Sequence, residues 1–95
     1  MKNADDIMEK LGFIADYSTF KEINYYNKKF ISETNVICLN LEHKTITSFI
    51  ESDSPFTPNE PYTLSSEELK TIALKCSELG WWWYEKDFDN IIYNL

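Results

Sequence analysis

The chain has 95 residues, 43% hydrophobic and 16% aromatic, with sixteen acids against nine bases and a formal net charge of −7. No apolar run approaches the roughly 18–20 residues of a membrane helix, and the nine bases are all Lys, so composition argues against a membrane span and against direct nucleic-acid binding, which draws on cationic phosphate contacts and on Arg. That length predicts one domain over residues 1–95 with a single modest core.

In chain order, Asn3 is placed to cap a first helix over Ala4 to Leu11. Ala4, Ile7, Met8 and Leu11 then form one apolar stripe at i, i+3, i+4 and i+7. Asp5 and Asp6 sit in the first turn and Lys10 near the end, as the helix dipole favours. Gly12 suits a left-handed stop, with Phe13 folding back beyond it.

A β region follows. Phe20 to Tyr26 and Lys29 to Ser32 are rich in aromatic and β-branched residues; Asn27-Lys28 reads either as a tight turn between two strands or as a bulge in one longer strand. Val36 to Leu41 and Thr45 to Glu51 read as a hairpin around Glu42-His43-Lys44. Thr45, Thr47 and Ser48 suggest that one face of the second strand is wet. All three prolines fall in Pro55 to Pro61, an extended link to the next helix.

That helix opens on Ser65-Ser66-Glu67-Glu68, a capping box, with Leu64 and Leu69 placed as its hydrophobic staple. Leu69, Ile72, Ala73, Cys76 and Leu79 make its apolar face, and Gly80 ends it, with Trp81 returning toward Cys76. The stretch Tyr84 to Leu95 reads either as a short helix or as a last strand. The expected fold is therefore α+β: an N-terminal helix, an antiparallel meander of three to four strands, a capped C-terminal helix on one sheet face, and a short tail.

Catalytic and cofactor signatures are lacking. His43 is the only histidine and falls in a turn, where a His tolerates positive φ. Asp87-x-Asp89-Asn90 opens like a calcium loop but lacks its glycine and its closing Glu. The carboxylates of both helices sit where capping and the dipole already explain them. No phosphate loop, dinucleotide turn or zinc spacing is present, so the chain reads as neither an enzyme nor a holder of metal or cofactor. Cys38 and Cys76, without CxxC spacing, read as small buried hydrophobes of a reducing compartment, and an acidic N-terminus without an apolar core reads as cytoplasmic.

The run Trp81-Trp82-Trp83-Tyr84 points elsewhere. Neighbouring side chains in a strand face opposite sides, so three successive indoles do not all enter one small core. Exposed aromatics are common at contact sites. The candidate protein-binding residues are Trp81, Trp82, Trp83 and Tyr84, with Glu85, Asp87 and Asp89 supplying charge complementarity. The expectation is a small acidic module that binds a protein partner; the alternative is a structural part using the Trp cluster for a homodimer or sheet-edge contact. Mimicry of nucleic acid ranks lower, because the acids are scattered along the chain and not gathered in one strip.

Two segments also carry a resemblance. Glu60 to Lys70 continuing through Glu78-Leu79-Gly80-Trp81, together with Lys10-Leu11-Gly12-Phe13 and the hairpin from Leu39 to Ile46, resembles small phage- and prophage-encoded proteins of Gram-positive bacteria over most of residues 1 to 82. Trp82, Trp83 and the tail depart from that pattern. The resemblance implies an accessory protein of a class in which small acidic domains bind and block host proteins; it implies no catalytic residues.

Overall fold

The computed structural model describes residues 3–81. The chain runs α1 (Ala4–Lys10), β1 (Ile14–Asp16), β2 (Glu22–Phe30), β3 (Glu33–Asn40), β4 (Thr45–Ser52), β5 (Glu60–Pro61) and α2 (Ser66–Glu78). The strands form one antiparallel sheet in the order β1-β2-β3-β4-β5, so each pairs with its sequence neighbour. This is the expected α+β meander, lengthened at its two edges by strands of three and two residues.

Local chemistry sets the helix ends. Asn3 accepts the Asp6 amide at 2.9 Å, and Ser65 accepts the Glu68 amide at 3.1 Å while Glu68 accepts the Ser65 amide at 2.8 Å. Both helices stop in the same way. Gly12 (φ 98°) and Gly80 (φ 76°) turn left-handed, and the amides of Phe13 and Trp81 reach back to Met8 and Cys76, each at 2.9 Å. With the amides of Gly12 and Gly80 donating to Glu9 and Ser77, each at 3.0 Å, these paired 6→1 and 5→2 bonds satisfy carbonyls that a helix end leaves orphaned. At Gly12 a side chain is excluded for a second reason: an added Cβ would lie 2.9 Å from Asn27 Nδ2.

Of the two readings of Asn27-Lys28, the structure takes the bulge. β2 is one strand whose register with β3 shifts between Asn27 and Phe30. Asn27 is buried there, and its side-chain amide donates to the Leu11 carbonyl at 3.4 Å, tying the bulge to the end of α1. In the β3–β4 turn the left-handed residue is Lys44 (φ 55°), not His43. The polar residues of β4 divide between the faces. Thr45 and Thr47 share one face, while Ser48 lies on the other and donates to the Tyr62 carbonyl at 2.7 Å.

One face of the sheet carries the core. Ile23 and Tyr25 of β2 and Ile37 and Leu39 of β3 pack with Met8 of α1, Phe13, and Ile72 and Cys76 of α2. Both helices therefore cover the same face. Truncating a sealed residue such as Phe13 would cost about 3–5 kcal/mol. Leu69 and Leu79 are half-buried at the rim of the α2 stripe, and Thr71 and Lys75 are buried beside it. Cys76 is fully buried as expected; Cys38 is only half-buried and points to the opposite face, where its thiol donates to Glu22 Oε2 at 3.4 Å.

Candidate functional site

The face opposite the helices is organised by register alone. Ile14 pairs with Tyr26, Tyr26 with Val36, Val36 with Phe49, and Phe49 with Pro61. Directly paired residues project to the same side, so these five make an unbroken apolar row across all five strands. Val36, at its centre, is 1% exposed, flanked by the rings of Tyr26 and Phe49, which are half-buried. Ile14, at one end, is 72% exposed. The helices pack on the other side, and among the described residues no element lies over this row.

Polar rows border it. On one side run Asp16, Asn24, Cys38 and Thr47, then Glu22, Asn40 and Thr45; on the other run Thr34 and Glu51. Three carboxylates thus flank the apolar row, Asp16 and Glu22 on one side and Glu51 on the other. The Tyr26 hydroxyl feels all three: burial raises its pKa, and the charges of Asp16, Glu51 and Glu22 raise it further. Glu22 is held in place by the Asn24 side-chain amide, which donates at 3.2 Å, and by the Cys38 thiol. Burial and then the Glu22 carboxylate push that thiol up to about 11, so it stays protonated and a poor nucleophile at neutral pH.

A second polar cluster lies on the helix side. Tyr25, sealed in the core, donates its hydroxyl to Asp5 Oδ1 at 2.6 Å, and the Tyr17 hydroxyl donates to Asp5 Oδ2. Lys75 donates to the Tyr17 hydroxyl at 2.7 Å and lies 3.4 Å from Asp5. The Lys75 ammonium is 5.2 Å from the Tyr17 ring centroid; bonded to the hydroxyl, it lies off the edge of the ring and makes no cation–π contact. Glu78 completes the cluster by accepting the Ala4 amide at 2.9 Å, so α2 caps the start of α1.

The charge states of this cluster suit structure better than catalysis. Burial pushes the Asp5 carboxyl up, but the two tyrosine hydroxyls and the Lys75 ammonium outweigh it, and the net direction is down. Burial pulls Lys75 down, but the Tyr17 hydroxyl and the Asp5 charge reverse it, and the net direction is up. Tyr17 and Tyr25 are both raised, by burial first and then by Asp5. Every shift moves away from neutrality, whereas a general acid or base works best near it. The cluster pins α1, α2 and β2 together. Among the described residues no group of three or more His, Cys, Asp or Glu side chains is placed to hold a metal ion. Two surface depressions of about 390 and 380 Å³ are lined, among the described residues, by Phe20, Lys21, Leu41 and Glu42, and by Asp5, Asp6, Glu9, Phe13, Ile14 and Ala15; neither gathers the polar groups of the cluster at one point.

Of the residues that the sequence singles out for binding, Trp81 is half-buried and packs against the core cluster beside Leu79. Trp82, Trp83, Tyr84, Glu85, Asp87 and Asp89 lie outside the described residues. The apolar row was not foreseen. Its one sequence signal is parity: Tyr26 and Phe49 are aromatic at positions where their strands otherwise present Glu22 and Asn24, or Thr45, Thr47 and Glu51. No family model, curated protein or solved structure matches the chain.

Proposed function

We propose that this chain is a small acidic protein-binding module, a phage-type accessory protein that docks on a host or defence protein in the bacterial cytoplasm and blocks it. One observation carries this reading: the row of Ile14, Tyr26, Val36, Phe49 and Pro61 lies on a sheet face that no described element covers. Ile14, 72% exposed, and Pro61 present apolar surface at the two ends of the row, and exposed apolar surface commonly marks an interaction site. The indole-rich run from Trp81 to Tyr84, with Glu85, Asp87 and Asp89, supplies a second contact region. A net charge of −7 disfavours self-association and nucleic acid, and favours a partner of opposite charge. The Leu-Gly-aromatic stops and the capping box, which carry the resemblance to phage proteins, support the accessory role.

The experiment is affinity capture from a Gram-positive lysate with the tagged full chain as bait, beside Ile14→Ser, Phe49→Ser and Trp82→Ala/Trp83→Ala baits checked for folding by circular dichroism. The expected result is a host protein retained by the native chain and reduced at least about tenfold by Ile14→Ser and Phe49→Ser. Retention of nothing above background overturns the binding role. Retention indifferent to both sheet-face variants moves the site away from the sheet, and retention indifferent to the Trp variant removes the indoles from it.

A further inference from the structure

The sheet face that no described element covers has a shape and a charge that select among occupants. The apolar row crosses four strand spacings, about 19 Å. An α-helix covers that length with about 13 residues. Because carboxylates stand on both sides of the row, a complementary element must carry cations on both sides of its own apolar edge. A helix does so readily; an extended strand, whose side chains alternate between two faces, does not. Of the two lysines on β2, Lys28 is engaged elsewhere, paired with Asp53 at 3.4 Å.

The other occupants carry the wrong sign. A second copy brings the same −7 and the same three carboxylates. Residues 82–95 contribute Glu85, Asp87 and Asp89 against Lys86 alone. Nucleic acid and anionic lipid are repelled by the rim for the same reason.

We propose that this face seats a cationic amphipathic helix of a partner protein, with its apolar edge along Ile14, Tyr26, Val36, Phe49 and Pro61 and its Lys or Arg side chains against Asp16, Glu22 and Glu51. The proposal rests on the docking role proposed above and adds the chemistry of what docks. Charged rims of this kind act mainly on encounter rate and on the choice between partners, so discrimination by sign is the property to measure.

The test is a titration of the ¹⁵N-labelled full chain with a Leu/Lys amphipathic helical peptide of about 14 residues, its Leu/Glu counterpart, and a scrambled Leu/Lys peptide without an apolar edge. The Leu/Lys helix is expected to shift the amides of Ile14, Tyr26, Thr47 and Phe49. The double variant Asp16→Asn/Glu51→Gln should weaken it about five- to tenfold, and raising the salt from 50 to 300 mM should act in the same direction. No shift on this face, or equal binding of the scrambled peptide, overturns the proposal. Equal binding of the Leu/Glu helix also overturns it, but leaves the docking role standing. Shifts at this face on raising the protein's own concentration assign it to a second copy. Shifts at residues 82–95 on Phe49→Ser without peptide assign it to the chain itself. A host partner that is captured and lost with Phe49→Ser, while the Leu/Lys helix does not bind, separates failure of this proposal from failure of the docking role.

Discussion

Replacing Tyr25 by Phe removes one oxygen from the core and one donor from Asp5. The ring stays, and Tyr25 is fully buried, so the substitution opens no cavity larger than a hydroxyl. What is lost is a 2.6 Å hydrogen bond to a carboxylate. Bonds to charged groups contribute about 1.5–3 kcal/mol. The Asp5 side chain is 30% exposed and keeps Tyr17 and Lys75, which places the loss near the lower end, about 1.5–2 kcal/mol. At about 2.1 cal/mol/K per residue the unfolding entropy of 95 residues is about 200 cal/mol/K, so the melting temperature should fall about 7–10 °C. The sign with pH follows from Asp5, whose folded pKa lies below its unfolded value. Its stabilisation is complete above the unfolded pKa of 3.8 and is lost as pH falls through the folded value. The Tyr25→Phe penalty should therefore be full at pH 7 and shrink below pH 3.8. Urea unfolding of both proteins at pH 7 and in acid measures this. A penalty under about 0.5 kcal/mol at pH 7, or one that grows in acid, would refute the assignment of Asp5 as the ionised centre of the cluster.

Other outcomes follow from the same structure. Gly12→Ala should cost about 2 kcal/mol in chemical denaturation, because it combines left-handed strain with displacement of Asn27, whereas Gly80→Ala, with nothing within 4 Å, should cost about 1 kcal/mol. Glu68→Ala should cost about 2–3 kcal/mol, since it strands both the Ser65 amide and the Tyr62 hydroxyl, which donates to Glu68 at 2.8 Å; Ser65→Ala should cost about 1 kcal/mol. Lys75, raised in the folded state, stabilises fully below its unfolded pKa of 10.5 and ceases to do so only as pH climbs past the folded value, so thermal scans should show no loss from Lys75 up to about pH 10. With both thiols pushed up to about 11, native Cys38 and Cys76 should react with a disulfide reagent far more slowly at pH 8 than the same thiols in denaturant.

What the sequence discloses here is what short-range chemistry controls. Asn3, Gly12, Ser65, Glu68 and Gly80 act within one helical turn of themselves, and each is found in its expected role. The hairpin of β3 and β4 has enough residues for its alternation to be legible. β1 and β5 do not: a strand of two or three residues has no period to detect, and its state is conferred by the neighbour it pairs with. Pro61 even argues against a strand, yet it is tolerated at an edge. The Asp5 cluster is hidden for a related reason. Dipole and capping already account for Asp5 locally, while its partners lie 12, 20 and 70 residues away. The apolar row draws one residue from each of five strands, so only the register assembles it, and its two aromatics pass singly as ordinary strand residues.

Docking at the sheet face opposite the helices requires Ile14, Tyr26 and Phe49 to be accessible in the isolated chain and covered in a complex. Hydroxyl-radical footprinting of the full chain, alone and with a captured partner, reads that directly, with Phe56, 94% exposed and not a member of the row, as the internal standard. Ile14, Tyr26 and Phe49 should be oxidised in the free protein and shielded once the partner is bound, while Phe56 keeps its rate. Ile14, Tyr26 and Phe49 already shielded in the free monomer, or still oxidised at the free rate in the complex, would contradict it.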